Sequence, residues 1–216
     1  IEWQKSYGQD NGDVVYSILR KDNSYYSTGL SGFGTTSVFL YLSKINNNGD
    51  TIFTSKTYSK QAVSVDIRES FDGDLFILSA KWNDSAFTYD RTLVTKVDTN
   101  GNFIWHKEYN IGNFDEYKIE PLVDGGAIFI GRNGTVGLNC YAIRIDAQGN
   151  EVWNNTYIKA GFQYIQYLTH LNDGSLSLSG YSHIGTRRNI FYLQIDQDGN
   201  EIASDTITTG IDDGNY

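Results

Sequence analysis

Several residue types are scarce in this sequence, and each scarcity excludes a class of protein. There is one cysteine among 216 residues, so no disulfide can form within the chain. Basic residues number 17 against 26 acidic ones, a formal net charge of −9. That balance disfavours nucleic acid, whose binding depends on basic side chains at phosphates. No apolar run reaches the roughly 18 residues of a membrane-spanning helix. We therefore expect neither nucleic-acid binding nor membrane insertion.

Motifs for metals, cofactors and common nucleophiles are missing as well. The three histidines lie on different predicted elements, and their spacing matches no transition-metal motif. A nucleophile elbow and a phosphate-binding loop are absent. Cys140 lies in an apolar run without a neighbouring base, which predicts a buried packing residue. The segment 196–200 alternates carboxylates as a calcium loop does, but a turn closed by Asp side-chain hydrogen bonds explains it better. We expect no cofactor and no metal site.

The residues that are plentiful favour strands and turns. The chain has 22 glycines and 16 tyrosines, but only one proline and no methionine. Aromatic residues favour strands, and glycine with asparagine favours tight turns. No segment has a convincing helical period, so we expect almost no helix.

A turn motif recurs four times at intervals near fifty residues. Its glycines are Gly49, Gly101, Gly149 and Gly199, spaced by 52, 48 and 50 residues. An aromatic residue follows four residues later in the first three copies, whereas the fourth copy has alanine there. A period of this length is typical of propellers and solenoids. Solenoid repeats are generally shorter and built from parallel coils, so the propeller is the preferred interpretation.

A second turn keeps the same period and divides each repeat into strands. It reads Asp22-Asn23, Asp72-Gly73, Asp124-Gly125 and Asp173-Gly174. Asp-Gly tolerates the positive φ angles of a two-residue hairpin. Each repeat then holds four strands, and we predict a β-propeller of four-stranded antiparallel blades. The four repeats span approximately residues 9–58, 59–109, 110–157 and 158–207.

The ends of the chain continue the same pattern. Residues 1–8 match the fourth strand of a repeat and predict an extra outer strand, and residues 208–216 resemble the start of a further repeat or a tail. Two interpretations stay open: a stretch of a longer propeller, which we favour, or a four-bladed domain with a spare strand. The chain begins at Ile1 instead of methionine, so we expect that a leader or an upstream domain has been removed.

Three tryptophans share one register of the predicted fourth strand. These are Trp3, Trp105 and Trp153. A buried indole removes a large area from water, and the repetition predicts packing between blades in preference to a ligand platform.

The third repeat carries the clearest copy of both turns. It reads DGGAIFIG at 124–131 and IDAQGNEVW at 145–153. This pattern resembles the secreted bacterial β-propeller repeats called SBBP and is similar, more distantly, to quinoprotein propeller repeats. The other copies lack the second glycine, and the last lacks the tryptophan. The resemblance implies a secreted or cell-surface bacterial protein used for binding or display.

One face of the predicted propeller carries the loops that differ most between repeats. These loops hold aromatic, histidine and arginine residues, a composition that suits binding of a sugar or a protein. The candidate ligand-binding residues are Phe33, Trp82, Phe87, Tyr89, Phe114, Phe162, His183, Arg187 and Arg188. The alternative that these aromatics fold onto the core stays open.

We therefore expect a non-catalytic binding or scaffolding module that recognises a glycan or protein, and not an enzyme. Further blades, from the same parent chain or from a partner chain, are expected as partners as well. An alternative is a propeller-based enzyme acting on glycans, a hydrolase or a lyase. Such an enzyme needs two carboxyl groups at a defined separation, which sequence does not provide. A structural spacer in a surface assembly is the third interpretation.

Overall fold

A computed structural model describes residues 3–8, 12–33, 39–60, 62–83, 88–109, 118–133, 139–159 and 161–212. The regular structure in these ranges consists of sixteen β-strands. No helix in the described part of the chain has the length and apolar character to cross a membrane.

The strands form four antiparallel sheets, which we call blades 1 to 4. Blade 1 holds β1 (Gly12–Lys21), β2 (Ser24–Phe33), β3 (Phe39–Asn46) and β4 (Thr51–Lys60). Blade 2 holds β5 (Ala62–Glu69), β6 (Leu75–Asn83), β7 (Thr88–Val97) and β8 (Phe103–Tyr109). Blade 3 holds β9 (Lys118–Pro121), β10 (Ala127–Asn133), β11 (Asn139–Ile145) and β12 (Glu151–Tyr157). Blade 4 holds β13 (Phe162–His170), β14 (Leu176–Ile184), β15 (Arg187–Ile195) and β16 (Glu201–Asp212).

In every blade the strands are paired in chain order, as a meander. The prediction of an all-β chain with four-stranded antiparallel blades is confirmed. The chain divides into two compact units, Ile1–Ile111 with blades 1 and 2, and Gly112–Tyr216 with blades 3 and 4.

The turn between the first two strands of each blade uses a residue with positive φ. Gly73, Gly125 and Gly174 have φ of 87°, 84° and 82°, and Asp22 takes a φ of 52° in the blade that has no glycine there. Aspartate is among the few residues with a side chain that tolerate this region.

The turn between the third and fourth strands is closed by an Asx side chain. In blade 4, Oδ1 of Asp196 accepts the N–H groups of Asp198 and Asn200 at 2.9 and 2.8 Å. The Asn200 side chain donates to Oδ2 at 2.9 Å. Asn46 accepts the equivalent backbone bonds in blade 1, so the turn needs the oxygen and not the charge.

Because of Asp196 in this turn, we expect the stability of the protein to depend on pH. The hydrogen bond from the Asn200 side chain holds the pKa of Asp196 below its ordinary value. A carboxyl whose pKa is lower in the folded state stabilises the protein above its unfolded pKa of about 3.9. That contribution is lost as the pH falls through the folded value. We expect Asp196→Asn to be slightly less stable than wild type at pH 7, and the difference to shrink as the pH falls below about 3.9 towards the lowered folded pKa.

Thermal melts at pH 7, 5 and 3 measure this difference. The matched control is Asp205→Asn, which removes one negative charge from the exposed face of β16. A difference between Asp196→Asn and wild type that stays constant across the pH range would contradict the prediction.

Each unit has an apolar core between its two blades. In the first unit, β2 and β3 contribute Tyr26, Leu40 and Leu42, which pack against the buried residues of blade 2. Those residues are Ala62, Ile67, Leu75, Ile77, Leu93 and Val97. In the second unit, Ile128, Ile130, Cys140 and Ala142 of blade 3 join the core with blade 4. The blade 4 members are Ile165, Leu168, Leu176, Leu178, Phe191, Leu193 and Ile195.

An aromatic clamp joins neighbouring blades at the recurring glycine turn. Trp153 on β12 donates its indole N–H to the carbonyl of Gln197 at 2.9 Å, and the Tyr157 hydroxyl donates to the carbonyl of Gly199 at 2.8 Å. Burial raises the pKa of Tyr157 to about 12, so this hydroxyl remains a donor. A Cβ atom at Gly199 would lie 2.4 Å from the Asn155 side-chain nitrogen and 3.1 Å from the indole, and one at Gly101 would lie 2.8 Å from the Phe53 ring. The aromatic of one blade therefore requires the glycine of the next, which explains their shared period.

Residues 3–8 make the same clamp on blade 1 while lying outside the four sheets. Trp3 donates to the carbonyl of Asn47 at 2.7 Å, and Tyr7 donates to the carbonyl of Gly49 at 2.8 Å. Lys5 adds an ion pair with Asp50 at 2.5 Å. The segment predicted as an extra outer strand thus has the side-chain contacts of a fourth strand.

Candidate functional site

The first strand of each blade is the place where chemistry would concentrate in this fold. Among strands of different sheets, β1 approaches β5 most closely in the first unit, and β9 approaches β13 most closely in the second. Blades of a propeller are arranged around a central channel. Within each unit the first strands are the ones that converge, so we take them as the inner-edge strands.

Three of the four first strands contain a β-bulge. The register shifts between Val15 and Ser17 in β1, between Ser64 and Asp66 in β5, and between Ile165 and Tyr167 in β13. A bulge bends its strand and changes the direction of nearby side chains, and bulges are common beside active sites. In each strand the residue after the bulge is polar: serine, aspartate or tyrosine.

Asp66 lies after the bulge of β5 and is 1% exposed. Its Oδ1 accepts the hydroxyl of Ser17 from blade 1 at 3.1 Å and a guanidinium N–H of Arg68 at 2.8 Å. It also accepts the backbone N–H of Ile67 at 3.1 Å. A buried carboxylate needs such donors and a partner charge. Asp66 therefore joins blades 1 and 2 at the inner edge.

Asp13 is a more accessible carboxyl on the inner edge. It lies at the start of β1, is partly exposed and lines a cavity of about 230 Å³. Six hydroxyl side chains share this lining: Ser6, Tyr7, Ser31, Tyr41, Thr51 and Thr54. A carboxyl group among hydroxyls offers the acceptors and donors that orient a polyhydroxylated ligand.

Glu69 ends β5 and forms an ion pair with Lys21, and Glu120 on β9 is a partly buried inner-edge carboxyl of the second unit. The sequence interpretation missed Asp13, Asp66 and Glu120. The available signal was an acid inside a strand-like run, such as Asp66 in Val-Ser-Val-Asp-Ile. Sequence does not reveal that this acid follows a bulge at the edge where blades meet.

The predicted loop-face residues are spread over both units. Phe33 ends β2 and Phe162 begins β13, while Trp82 on β6 lies directly opposite Tyr89 on β7. Phe162 is opposite His183 in the β13–β14 pairing. Phe87 and Phe114 lie outside the described residues.

The remaining three predicted residues lie on the β14–β15 hairpin. His183 is paired with Arg188, and Ile184 with Arg187. His183 and Arg188 belong to a cluster with two tyrosines that the sequence interpretation missed.

Tyr164 stacks on Tyr181 with ring centres 4.6 Å apart, and the Arg188 guanidinium lies 4.6 Å from the Tyr181 ring centre. The His183 ring meets both tyrosines edge-on at 5.5 Å. These side chains pack against one another, so less aromatic surface is open to a ligand than the predicted ligand-binding face requires. Ligand binding by this cluster stays a prediction.

Metal-binding chemistry finds little support in the described ranges. No group of three or more His, Cys, Asp and Glu side chains suited to an ion occurs in the part of the chain that the structure describes. Cys140 is buried in β11, and burial raises the pKa of its thiol well above the ordinary value. A thiol of this kind packs and does not react.

Comparison with known proteins identifies the fold but no family. No family model matches the sequence, and no curated protein matches it. The chain is similar to the xylan β-1,4-xylosidase of Bacillus halodurans, with a TM-score of 0.52, 12% identity and coverage of 90% of this chain and 44% of the xylosidase. It therefore spans less than half the length of that protein.

Two further glycosidases share the fold. An α-L-arabinofuranosidase of Lactobacillus brevis has a TM-score of 0.53 and 13% identity over 89% of this chain and 73% of that enzyme. A GH43 β-1,3-galactosidase, in a structure with galactodeoxynojirimycin, has a TM-score of 0.54 and 10% identity over 99% of this chain and 81% of that one. These likenesses show the β-propeller, and they do not single out the SBBP repeats.

The prediction that the chain is not an enzyme is wrong by this comparison, because all three propellers are glycosidases. That prediction depended on recurring motifs whose residues form turns and packing contacts. Such motifs carry no information about the acids on the first strands.

Proposed function

We propose that this chain supplies blades of a glycan-processing propeller enzyme, a glycoside hydrolase. The observation that carries the proposal is a carboxyl group, Asp13 of the inner strand β1, in a hydroxyl-lined cavity between residues 6–8 and blade 1, in a fold shared with three glycosidases. At these sequence identities the likeness concerns the fold, and the activity is our inference from the acids.

Glycoside hydrolysis uses two carboxyl groups on opposite sides of the scissile bond. One protonates the departing oxygen, and the other acts on the sugar as a nucleophile or activates water. The first strands of the first unit carry three carboxyl groups: Asp13 lines an open cavity, Asp66 is buried, and Glu69 is exposed and forms an ion pair with Lys21. We assign Asp13 to direct contact with the substrate.

Asp66 would act as a positioning residue. Its carboxylate is covered, the hydrogen bond from Ser17 ties β1 to β5, and Arg68 on β5 itself supplies the partner charge. This arrangement holds β1, and with it Asp13, in a defined place relative to blade 2.

Location and partners follow the resemblance to secreted repeats. We propose an extracellular or cell-surface bacterial protein whose partner is a glycan. The net charge of −9 agrees with a neutral polysaccharide better than with an acidic one, because like charges repel.

Turnover of aryl β-xylosides, α-arabinofuranosides and β-galactosides tests the function. We expect hydrolysis of at least one, and a fall in kcat/KM of about 100-fold, roughly 2.7 kcal/mol, for Asp13→Asn. The control is Asp198→Asn, which removes the same charge from an exposed turn. Absence of turnover by the wild-type chain on this panel and on xylan, arabinan and galactan would overturn the proposal. Full activity of a folded Asp13→Asn variant would overturn the assignment of Asp13.

A further inference from the structure

Blade 1 exposes an apolar groove. The cavity measures about 410 Å³, and its walls include Trp3, Val15, Ile18, Tyr25, Tyr41 and Ile45. Ile18 is 64% exposed and Val15 is 48% exposed. An apolar surface of this kind, open on a folded domain, marks a site of interaction.

The strand registers identify which face of the blade this groove occupies. The pair Ile18–Ser27 in blade 1 occupies the position of the pair Ile67–Ile77 in blade 2, since both follow the bulge of the first strand at the same distance. By the same rule, Tyr25 and Ile45 form a pair equivalent to Leu75 and Val97, and Tyr41 is equivalent to Leu93. The groove is therefore the blade 1 counterpart of the apolar face of blade 2.

In blades 2 and 4 the equivalent apolar face is covered by the preceding blade of the same unit. In blade 2, Ile67, Leu75 and Ile77 are buried against Tyr26, Leu40 and Leu42 of blade 1. In blade 4, the corresponding Leu168, Leu176 and Leu178 are buried against blade 3. Blade-to-blade packing is thus the established use of this face.

The segment 3–8 borders the groove and marks where the neighbouring sheet would lie. Trp3 and Tyr7 clamp the blade 1 turn in the way that Trp153 and Tyr157 clamp the blade 4 turn. In blade 3 the strand bearing the clamp, β12, is paired with β11. The segment 3–8 has no such sheet among the described residues.

We propose that the groove of blade 1 and the segment 3–8 together form a docking site for the first three strands of a further blade. The third strand of that sheet pairs with residues 3–8 as its fourth strand, by β-strand addition. Alternating apolar side chains of its second and third strands fill the groove, as Tyr26, Leu40 and Leu42 do in the contact between blades 1 and 2.

A second copy of this chain fits the site poorly. All four of its blades already have a fourth strand, so none offers a sheet that residues 3–8 would complete. Tyr7 and Tyr41 line both the groove and the Asp13 cavity, so docking would also form one wall beside Asp13.

The chain's own third repeat provides the probe. Residues 117–150 contain the first three strands and the turn of blade 3, and Asn150 is followed by Trp153 at the third position. In a fusion that joins residues 117–150 directly before Ile1, Trp3 likewise follows Asn150 at the third position. We expect Tm to rise by about 5 °C or more and amide exchange in residues 3–8 to slow about tenfold.

Substitutions in the groove separate docking from a general effect of the fusion. Ile18→Lys should leave the unfused chain unchanged, because Ile18 is exposed there, and should abolish both gains in the fused chain. Ile52→Lys on β4, which is similarly exposed and does not line the groove, should preserve both gains.

Unchanged exchange of residues 3–8 in the fused wild-type chain would overturn the proposal. So would gains that survive Ile18→Lys. If xylan or galactan oligosaccharides protect Trp3 from a soluble quencher, and Ile18→Lys removes that protection, the groove is a sugar site instead.

Discussion

Replacing Trp153 with alanine is expected to lower the free energy of unfolding by about 3–4 kcal/mol. The indole packs on the core between blades 3 and 4, lies over Gly199 and donates its N–H to the carbonyl of Gln197. The substitution removes a large apolar area from the contact with the core and leaves space that the strands of blades 3 and 4 fill only in part. It also leaves the Gln197 carbonyl with one donor fewer.

Urea denaturation followed by far-ultraviolet circular dichroism measures this loss. The matched control is Val152→Ala on the same strand, where the side chain is 54% exposed and faces away from the core. We expect that variant to lie within about 0.5 kcal/mol of wild type. A loss of less than about 1 kcal/mol for Trp153→Ala would mean that the indole does not hold the two blades together.

Replacing Gly180 with alanine is expected to cost at least about 3 kcal/mol. A Cβ atom at this position would lie 1.8 Å from the carbonyl oxygen of Tyr164 and 2.9 Å from its carbonyl carbon. Both atoms belong to the backbone of β13 beside its bulge, so no side-chain rotation relieves the clash. The β13–β14 pairing would have to separate, which would disturb the Tyr164–Tyr181 stack.

Gly185→Ala is the control, because its Cβ meets no atom within 4 Å. Its φ of 63° makes alanine strained, and we expect a loss of about 1 kcal/mol. A loss at Gly180 no larger than that at Gly185 would show that the β13 backbone accommodates the added Cβ atom and that the close approach is not what requires glycine. Gly29 offers an independent repeat, with its Cβ position 1.8 Å from the Val14 carbonyl oxygen.

The turns and strands were accessible from sequence because each depends on local chemistry. Asp-Gly pairs predicted the hairpins, and alternation predicted the strands between them. The tryptophan register predicted packing between blades, and the contact of Trp153 with Gly199 supplies the reason for the fifty-residue period.

The candidate site was accessible only in part. His183 and Arg188 were named from loop composition, but Tyr164 and Tyr181 join them because of the β13–β14 register. Asp13 and Asp66 were missed, since nothing local distinguishes an acid on an inner strand from a solvated one. The prediction that the chain is not an enzyme was made because these two acids were not recognised in the sequence.

By itself the sequence determined the number of strands, the positions of their turns and the spacing at which blades interlock. These features depend on positive φ at particular residues and on an aromatic ring that must meet a glycine. The tertiary structure alone decided which face of each sheet is covered, which acids lie at the inner edge and that blade 1 presents an open apolar groove. The physical reason is that an alternating strand defines two faces without specifying the neighbour of either one, and burial of a face depends on the sheet that packs against it.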